Sequence, residues 1–321
     1  MTGKKIVQPS FLKKGNKVAL VSPSYWLAGE AISQAAEVLR SWGLEPVVGK
    51  NVDCIDAEAY AGTGDERAAD MRWALEDDDI KAVICTCGGY GCIHLLDRIP
   101  QSLFQQHPKW VIGHGDISVL LCAVAAAGVM SIYGPMSLQL AGKQELSNSL
   151  LHDILFGTLP QYSVASTPYN CPGHATGLLV GGNLSSFSPL AGTDYYLLPG
   201  QDIILFIEEI EESLHSIDRL FYMLRLQGVL NRVKGIVLGE FNAIKYDLQF
   251  NSVEQMLTHH LRNCGIPVCC GFPVGSNSCL PLLEGAPVTL DVNDEVSTLT
   301  FNVEGLQHAV HTHKLEVPLL K

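Results

Sequence analysis

Positive charge is scarce in this chain. Lysine and arginine number 21 against 33 aspartates and glutamates, a formal net charge of −12. No basic run is longer than a pair. Nucleic acid requires a basic footprint that releases phosphate counterions, and an anionic membrane surface asks for the same; neither is an expected partner. Long apolar runs are also missing. The longest, Val119 to Met130, contains a glycine and is too short to cross a bilayer. No apolar segment of signal-peptide length follows Lys4, Lys5, Lys13 and Lys14, so the expected location is the cytoplasm. Internal repeats and low-complexity stretches are absent.

Cysteine is not scarce. Ten are present, and in a large chain with no export segment they read as reduced core thiols. Cys85-x-Cys87-x4-Cys92 has no zinc spacing, and Cys269-Cys270 reads as strand packing. His308-x2-His311-x-His313 has no carboxylate or cysteine partner in its pattern and reads as an exposed tail. No metal and no cofactor are expected.

Of 321 residues, 47% are apolar and 17% charged, a globular balance with length for two domains. The first half alternates strand and helix patterns. Lys17–Pro23 reads as a buried strand, and Ala28–Trp42 as an amphipathic helix closed by Gly43. Glu45–Gly49, Lys81–Thr86, Trp110–Gly113 and Met130–Tyr133 continue as strands. Helices are expected at Asp65–Asp77, from the Gly88–Gly91 turn to near Pro100, and at Ile117–Ala127. Such alternation gives a mostly parallel sheet covered on both faces, with ligands beyond the carboxyl ends of its strands. The stretch from about Gln144 to Gly173 is rich in Pro, Ser and Thr and reads as irregular. Residues 1–150 are expected as one domain, 151–173 as a linker and 174–321 as a more strand-rich second domain. Its main strands are expected at 177–183, 202–207, 233–238 and 287–292, with helices at 213–227 and 253–263.

Two glycine turns fall at strand carboxyl ends, Gly88–Gly91 and Gly113-His114-Gly115-Asp116. The second joins a strand to an apolar helix, the turn on which hydrolases expose a nucleophile. Gly115, at the exposed position, has no side chain. On strand alternation His114 should face away from it. Glu208 to Glu212 hold four carboxylates. Glu211 and Glu212 read as a solvated loop, whereas Glu208 follows Ile207 directly and would sit at the sheet rim, where a carboxylate can orient a histidine. Gly181-Gly182-Asn183-Leu184 and Gly271–Ser276 are Gly-rich turns; the first could also let backbone approach a ligand.

In order along the chain, these segments resemble the LD-carboxypeptidase family, serine peptidases that include muramoyltetrapeptide carboxypeptidases and the microcin C7 self-immunity branch. The resemblance runs through Leu12–Ser24, Gly88-Gly-Tyr-Gly91, Gly113–Asp116, Gly134-Pro-Met136, Gly181–Leu184, Phe206–Glu209 with Ile217-Asp-Arg219, and Gly271–Gly275. It implies a flavodoxin-like N-terminal domain, a smaller β-rich C-terminal domain and a homodimer. The implied reaction is removal of a terminal D-amino acid from an L,D peptide bond of muropeptides, in peptidoglycan recycling, by a Ser-Glu-His triad. Carried over by position, the serine falls on Gly115, the glutamate on Glu208 and the histidine on Ser276. Cys87 stands where the family turn has arginine. Gly88, Gly89, Asp116, Gly182 and Asn183 are implied as oxyanion and substrate-binding positions.

Removing a triad's nucleophile or base costs on the order of a millionfold in turnover; an oxyanion hole and binding leave roughly 10³–10⁴ over water. Three readings follow. The chain cuts through a displaced residue (Ser118, Cys87 or Cys92), or it binds a peptide or muropeptide without cutting, or it is a structural protein with no ligand.

Overall fold

The computed structural model describes residues 6–56, 59–142, 144–196, 200–261, 264–303 and 312–314. Its first half runs β1 (Lys17–Val21), α1 (Gly29–Ser41), β2 (Glu45–Val48), α2 (Gly64–Glu76), β3 (Ile80–Cys85), α3 (Gln101–Gln106), β4 (Trp110–Gly113), α4 (Ser118–Ala126), β5 (Ser131–Tyr133), α5 (Ser137–Ala141) and α6 (Glu145–Leu155). The parallel strands are ordered β2-β1-β3-β4-β5, the flavodoxin-like order. Local sequence explains the elements. Val18 to Val21 are buried without alternation, as a strand covered on both faces requires. Ile32, Ala35, Ala36 and Leu39 form the buried stripe of α1. Thr63 and Glu66 close a capping box on α2.

The remainder runs β6 (Gln161–Ala165), β7 (Gly173–Asn183), α7 (Leu184–Phe187), β8 (Ile203–Ile210), α8 (Leu214–Leu226), β9 (Val233–Asn242), α9 (Val253–Leu261), β10 (Val268–Cys269), β11 (Leu282–Glu284), β12 (Pro287–Val292), β13 (Val296–Phe301) and β14 (Thr312–Lys314). The second sheet has the order β10-β9-β8-β7-β12-β13-β6-β14. It is parallel from β10 to β7 and antiparallel from β7 through β12 and β13 to β6. Buried side chains of both sheets belong to one continuous core. Ser118 to Ala125 of α4 are all buried, and Tyr133 of the first sheet meets Phe206 of the second edge to face at 5.2 Å.

Three segments differ from the sequence expectation. The stretch 151–173 is more than a linker: it completes α6 and supplies β6, whose Tyr162 and Val164 are buried on the partner of β13. Its prolines mark only the turns around that strand. The first sheet also borrows its antiparallel edge from far along the chain, because β11 pairs Leu282 with Tyr133. Beyond Gly91 there is a short 3₁₀ turn, Cys92–Leu95, and Pro100 opens α3 rather than ending a helix. His308 and His311 lie outside the described residues; His313 lies in β14.

Candidate functional site

The loops at the carboxyl ends of β1, β3, β4, β5 and β8 enclose a cavity of about 400 Å³, within the range of small-molecule sites. Its wall contains Gly88, Gly89, Gly115, Glu208 and Ser276 together. Four distant sequence segments thus meet at one place.

The turn after β4 has the expected strand-turn-helix course. Gly113 leaves no room for a side chain, since a Cβ there would lie 2.6 Å from Ile117 Cγ2. Gly115 has φ +60°, and a Cβ on it would meet nothing within 4 Å. A side chain at 115 would therefore project into open space. His114, expected on the opposite face, instead lines the cavity. Alternation ends with β4 at Gly113, and the turn that follows brings both His114 and Gly115 to the wall. His114 Nδ1 is 3.3 Å from the Gly134 carbonyl and 3.2 Å from Cys279 Sγ. Burial lowers its pKa to about 4, so it is a neutral imidazole near pH 7.

Glu208 is aimed by an irregularity in the sheet. The register between β8 and β9 shifts between Ile207 and Glu209, the kind of bulge that redirects a side chain. Its carboxyl is 1% exposed, and Oε1 has no hydrogen-bond partner among the described residues. Burial pushes its pKa up to about 8; Glu209 and then Glu240 push the same way, while Tyr133 and Asn183 pull it down. Glu209, on the opposite face of β8, accepts from Asn183 Nδ2 at 2.6 Å and Ser185 N at 2.7 Å. It holds the chain crossing and is not on the cavity wall.

Ser276 accepts a hydrogen bond from Asn242 Nδ2 at 3.0 Å. Its loop is anchored by Glu240, which accepts from Asn277 N at 2.9 Å and from Ser278 N at 3.1 Å. The segment is thus a built turn, rather than a slack connection.

Of the remaining implied site positions, Gly88 and Gly89 line the cavity, and Asp116, Gly182 and Asn183 do not. Asp116 is buried, and its Oδ2 accepts from Ser24 Oγ at 2.8 Å and Cys92 N at 2.9 Å, tying three loops together. Gly89 does line the cavity, but its missing Cβ makes room for Tyr25, whose Cδ2 would lie 2.3 Å away. Gly182 and Asn183 are absent from the wall. A Cβ on Gly182, at φ +125°, would sit 2.4 Å from Ser118 Oγ, and Asn183 N donates to that same oxygen at 3.1 Å. Asn183 also caps α7 through Ser186 N. The bare backbone there accommodates the start of α4. Gly182→Ala is accordingly expected to cost about 1–3 kcal/mol, read as a lower urea midpoint at unchanged m.

The three displaced-nucleophile candidates separate by environment. Ser118 is fully buried against Gly182. Cys92 is fully buried, and burial, followed by the charge of Asp116, pushes its thiol well up. Cys87 reaches the cavity, but its thiol donates to the Tyr25 and Trp26 carbonyls at 3.2 and 3.6 Å, and burial raises it to about 11. A thiolate is the nucleophilic form, and none of these sites favours one. The sequence reading missed Tyr25, Trp26 and Leu27, which follow β1, and Met136, Leu138 and Gln139 beyond β5. The rule that ligands gather at strand carboxyl ends applies to both loops and was the signal available for them.

Comparison with known proteins places this geometry. The profile of the LD-carboxypeptidase N-terminal domain matches residues 18–134, and that of the LD-carboxypeptidase C-terminal domain matches residues 176–290. A protein of Bacillus subtilis named "Probable murein peptide carboxypeptidase" is 30% identical over 309 residues, 92% of this chain and 95% of its own. The murein tetrapeptide carboxypeptidase of Pseudomonas aeruginosa is 28% identical over 81% of this chain and 87% of its own. The crystal structure of muramoyltetrapeptide carboxypeptidase from Oxalobacter formigenes superposes with a TM-score of 0.78 at 27% identity, covering 89% of this chain and 98% of that one. Two domain profiles in order, and relatives matched nearly end to end, have one meaning: the chain belongs to the LD-carboxypeptidase family.

Proposed function

We propose that this protein binds a peptide of the muropeptide type in the cavity beside Gly115 and does not cut it by the family's serine chemistry. One observation carries the reading. Above Gly115, where a side chain would find open space, there is no attacking group, and Ser276 on the same wall accepts from Asn242 rather than serving as a base. A serine hydroxyl does not accept protons near neutral pH as an imidazole does. Glu208 remains, a buried carboxyl with an unpartnered oxygen. It has the position of a triad acid whose histidine is missing. The relatives' names, murein peptide and murein tetrapeptide carboxypeptidase, supply the ligand class.

Calorimetry with L-Ala-γ-D-Glu-meso-diaminopimelate-D-Ala tests both halves, provided the ligand recovered afterwards is analysed by mass. The expected outcome is saturable heat and an intact tetrapeptide. A flat titration favours a structural role with no ligand, and recovered tripeptide favours an enzyme working through a displaced residue. Assembly as a homodimer, which the family resemblance implies, and a cytoplasmic location, expected from the sequence pattern, belong to the same proposal. Sedimentation and cell fractionation test them.

A further inference from the structure

We infer that the cavity selects a ligand whose buried end is uncharged, a terminal carboxamide in preference to a terminal carboxylate or amine. The inference rests on the reading that this cavity binds a peptide. Among the described residues, none lining it is a lysine or arginine. Its side-chain polar groups are the Glu208 carboxyl, the His114 imidazole, the Gln139 carboxamide, the Ser276 and Tyr25 hydroxyls, the Trp26 indole N–H and the Cys87 thiol. A buried carboxylate needs a cation or several N–H donors. Here it would find no lysine or arginine on the wall, and behind the protonated Glu208 stand two further carboxyls, Glu209 and Glu240, of its own sign.

An ammonium group fares no better. Its three donors need several acceptors, the Glu208 carboxyl would have to give up its proton to pair with it, and apart from the polar groups named the wall is apolar, including Leu27, Met136 and Ile210. A carboxamide fits what is present. Glu208 Oε1 is buried and unpartnered, and a protonated carboxyl pairs with an amide through two hydrogen bonds, O–H to the amide carbonyl and amide N–H to the second oxygen. The groups facing Glu208 from neighbouring elements (Tyr133, Asn183, Glu240 and Cys279) and Glu209 beside it include no cation. Glu208 therefore keeps its proton near neutral pH, as the pair requires.

The test compares three probes on the unmodified protein by calorimetry at pH 6.5. They are the tetrapeptide ending in D-alanine, the same peptide ending in D-alaninamide, and the analogue in which a primary amine replaces the carboxylate. The amide is expected to bind at least about tenfold more tightly than either charged end, a modest share of the cost of burying an unpaired charge. Equal or tighter binding of the acid or the amine overturns the inference and leaves the binding reading intact. Silence from all three ends both. Leu138 is 46% exposed on the wall, so Leu138→Arg adds a cation without disturbing packing. It is expected to narrow the amide-to-acid ratio at least about threefold, and an unchanged ratio counts against the inference.

Discussion

Gly115→Ser with Ser276→His is expected to raise release of the terminal residue from the tetrapeptide, or from its amide, at least about a hundredfold over the unmodified protein. Each half has a structural basis. A Cβ at 115 meets nothing within 4 Å, and at φ +60° a serine costs about 1–2 kcal/mol of backbone strain, which a large core tolerates. A histidine at 276 shares the cavity wall with Glu208, whose Oε1 is unpartnered, so the imidazole N–H gains an acceptor and the carboxyl a reason to ionise. The single substitutions are expected to stay near the parent rate, because nucleophile and base act as a unit. Progress curves for the two singles and the double, at equal folded concentration, check this. Gain in one single equal to that of the double contradicts the pairing.

Glu208→Gln is expected to stabilise the protein by about 2–4 kcal/mol at pH 8 and to make little difference at pH 4. Burial holds the Glu208 pKa up at about 8, from an ordinary value of 4.5. Its folded form thus keeps a proton that the unfolded form loses. Between those two values the unfolded state binds fewer protons, so stability falls as pH rises and levels off above about 8. Glutamine fills the same volume without ionising and escapes that decline. The groups pressing on the carboxyl include Glu209 and Glu240, opposed by Tyr133 and Asn183. Glu284, also buried and raised to about 8, contributes the same slope to both proteins, so their difference isolates Glu208. Urea midpoints from pH 4 to 9 check the prediction. A difference that is flat with pH contradicts a raised Glu208. Retention of a carboxyl that weakens the fold is what a site built for function looks like.

How much of this was legible in the chain depends on the range of the interaction. Strands such as β1 and β4 and helices such as α1 and α2 are written in local periodicity and caps, and the structure has them within a few residues of their expected bounds. The place of Gly115 and Glu208 on the cavity wall was legible because each lies just past an apolar run of strand, and the carboxyl ends of strands face the ligand side of an α/β sheet. His114 was not, because two-residue alternation stops where the strand stops. Gly182 reads as ligand-facing backbone, yet it lies off the cavity wall and its bare Cα makes room for Ser118, a partner 64 residues away by sequence number; Gly89 is on the wall and also makes room for Tyr25. Pairing of β11 with β5 and of β6 with β13 is non-local too, and a composition rich in turn formers around β6 concealed it.

We propose that the family scaffold here holds its ligand without the family's chemistry. The most direct measurement is the rate at which purified protein releases D-alanine from saturating tetrapeptide, or D-alaninamide from its amide, followed by coupled oxidation or by mass. The account expects a rate far below the roughly 1–10³ per second of ordinary enzymes, with the added ligand still intact after many hours. Release at an ordinary enzymatic rate from either peptide would contradict it.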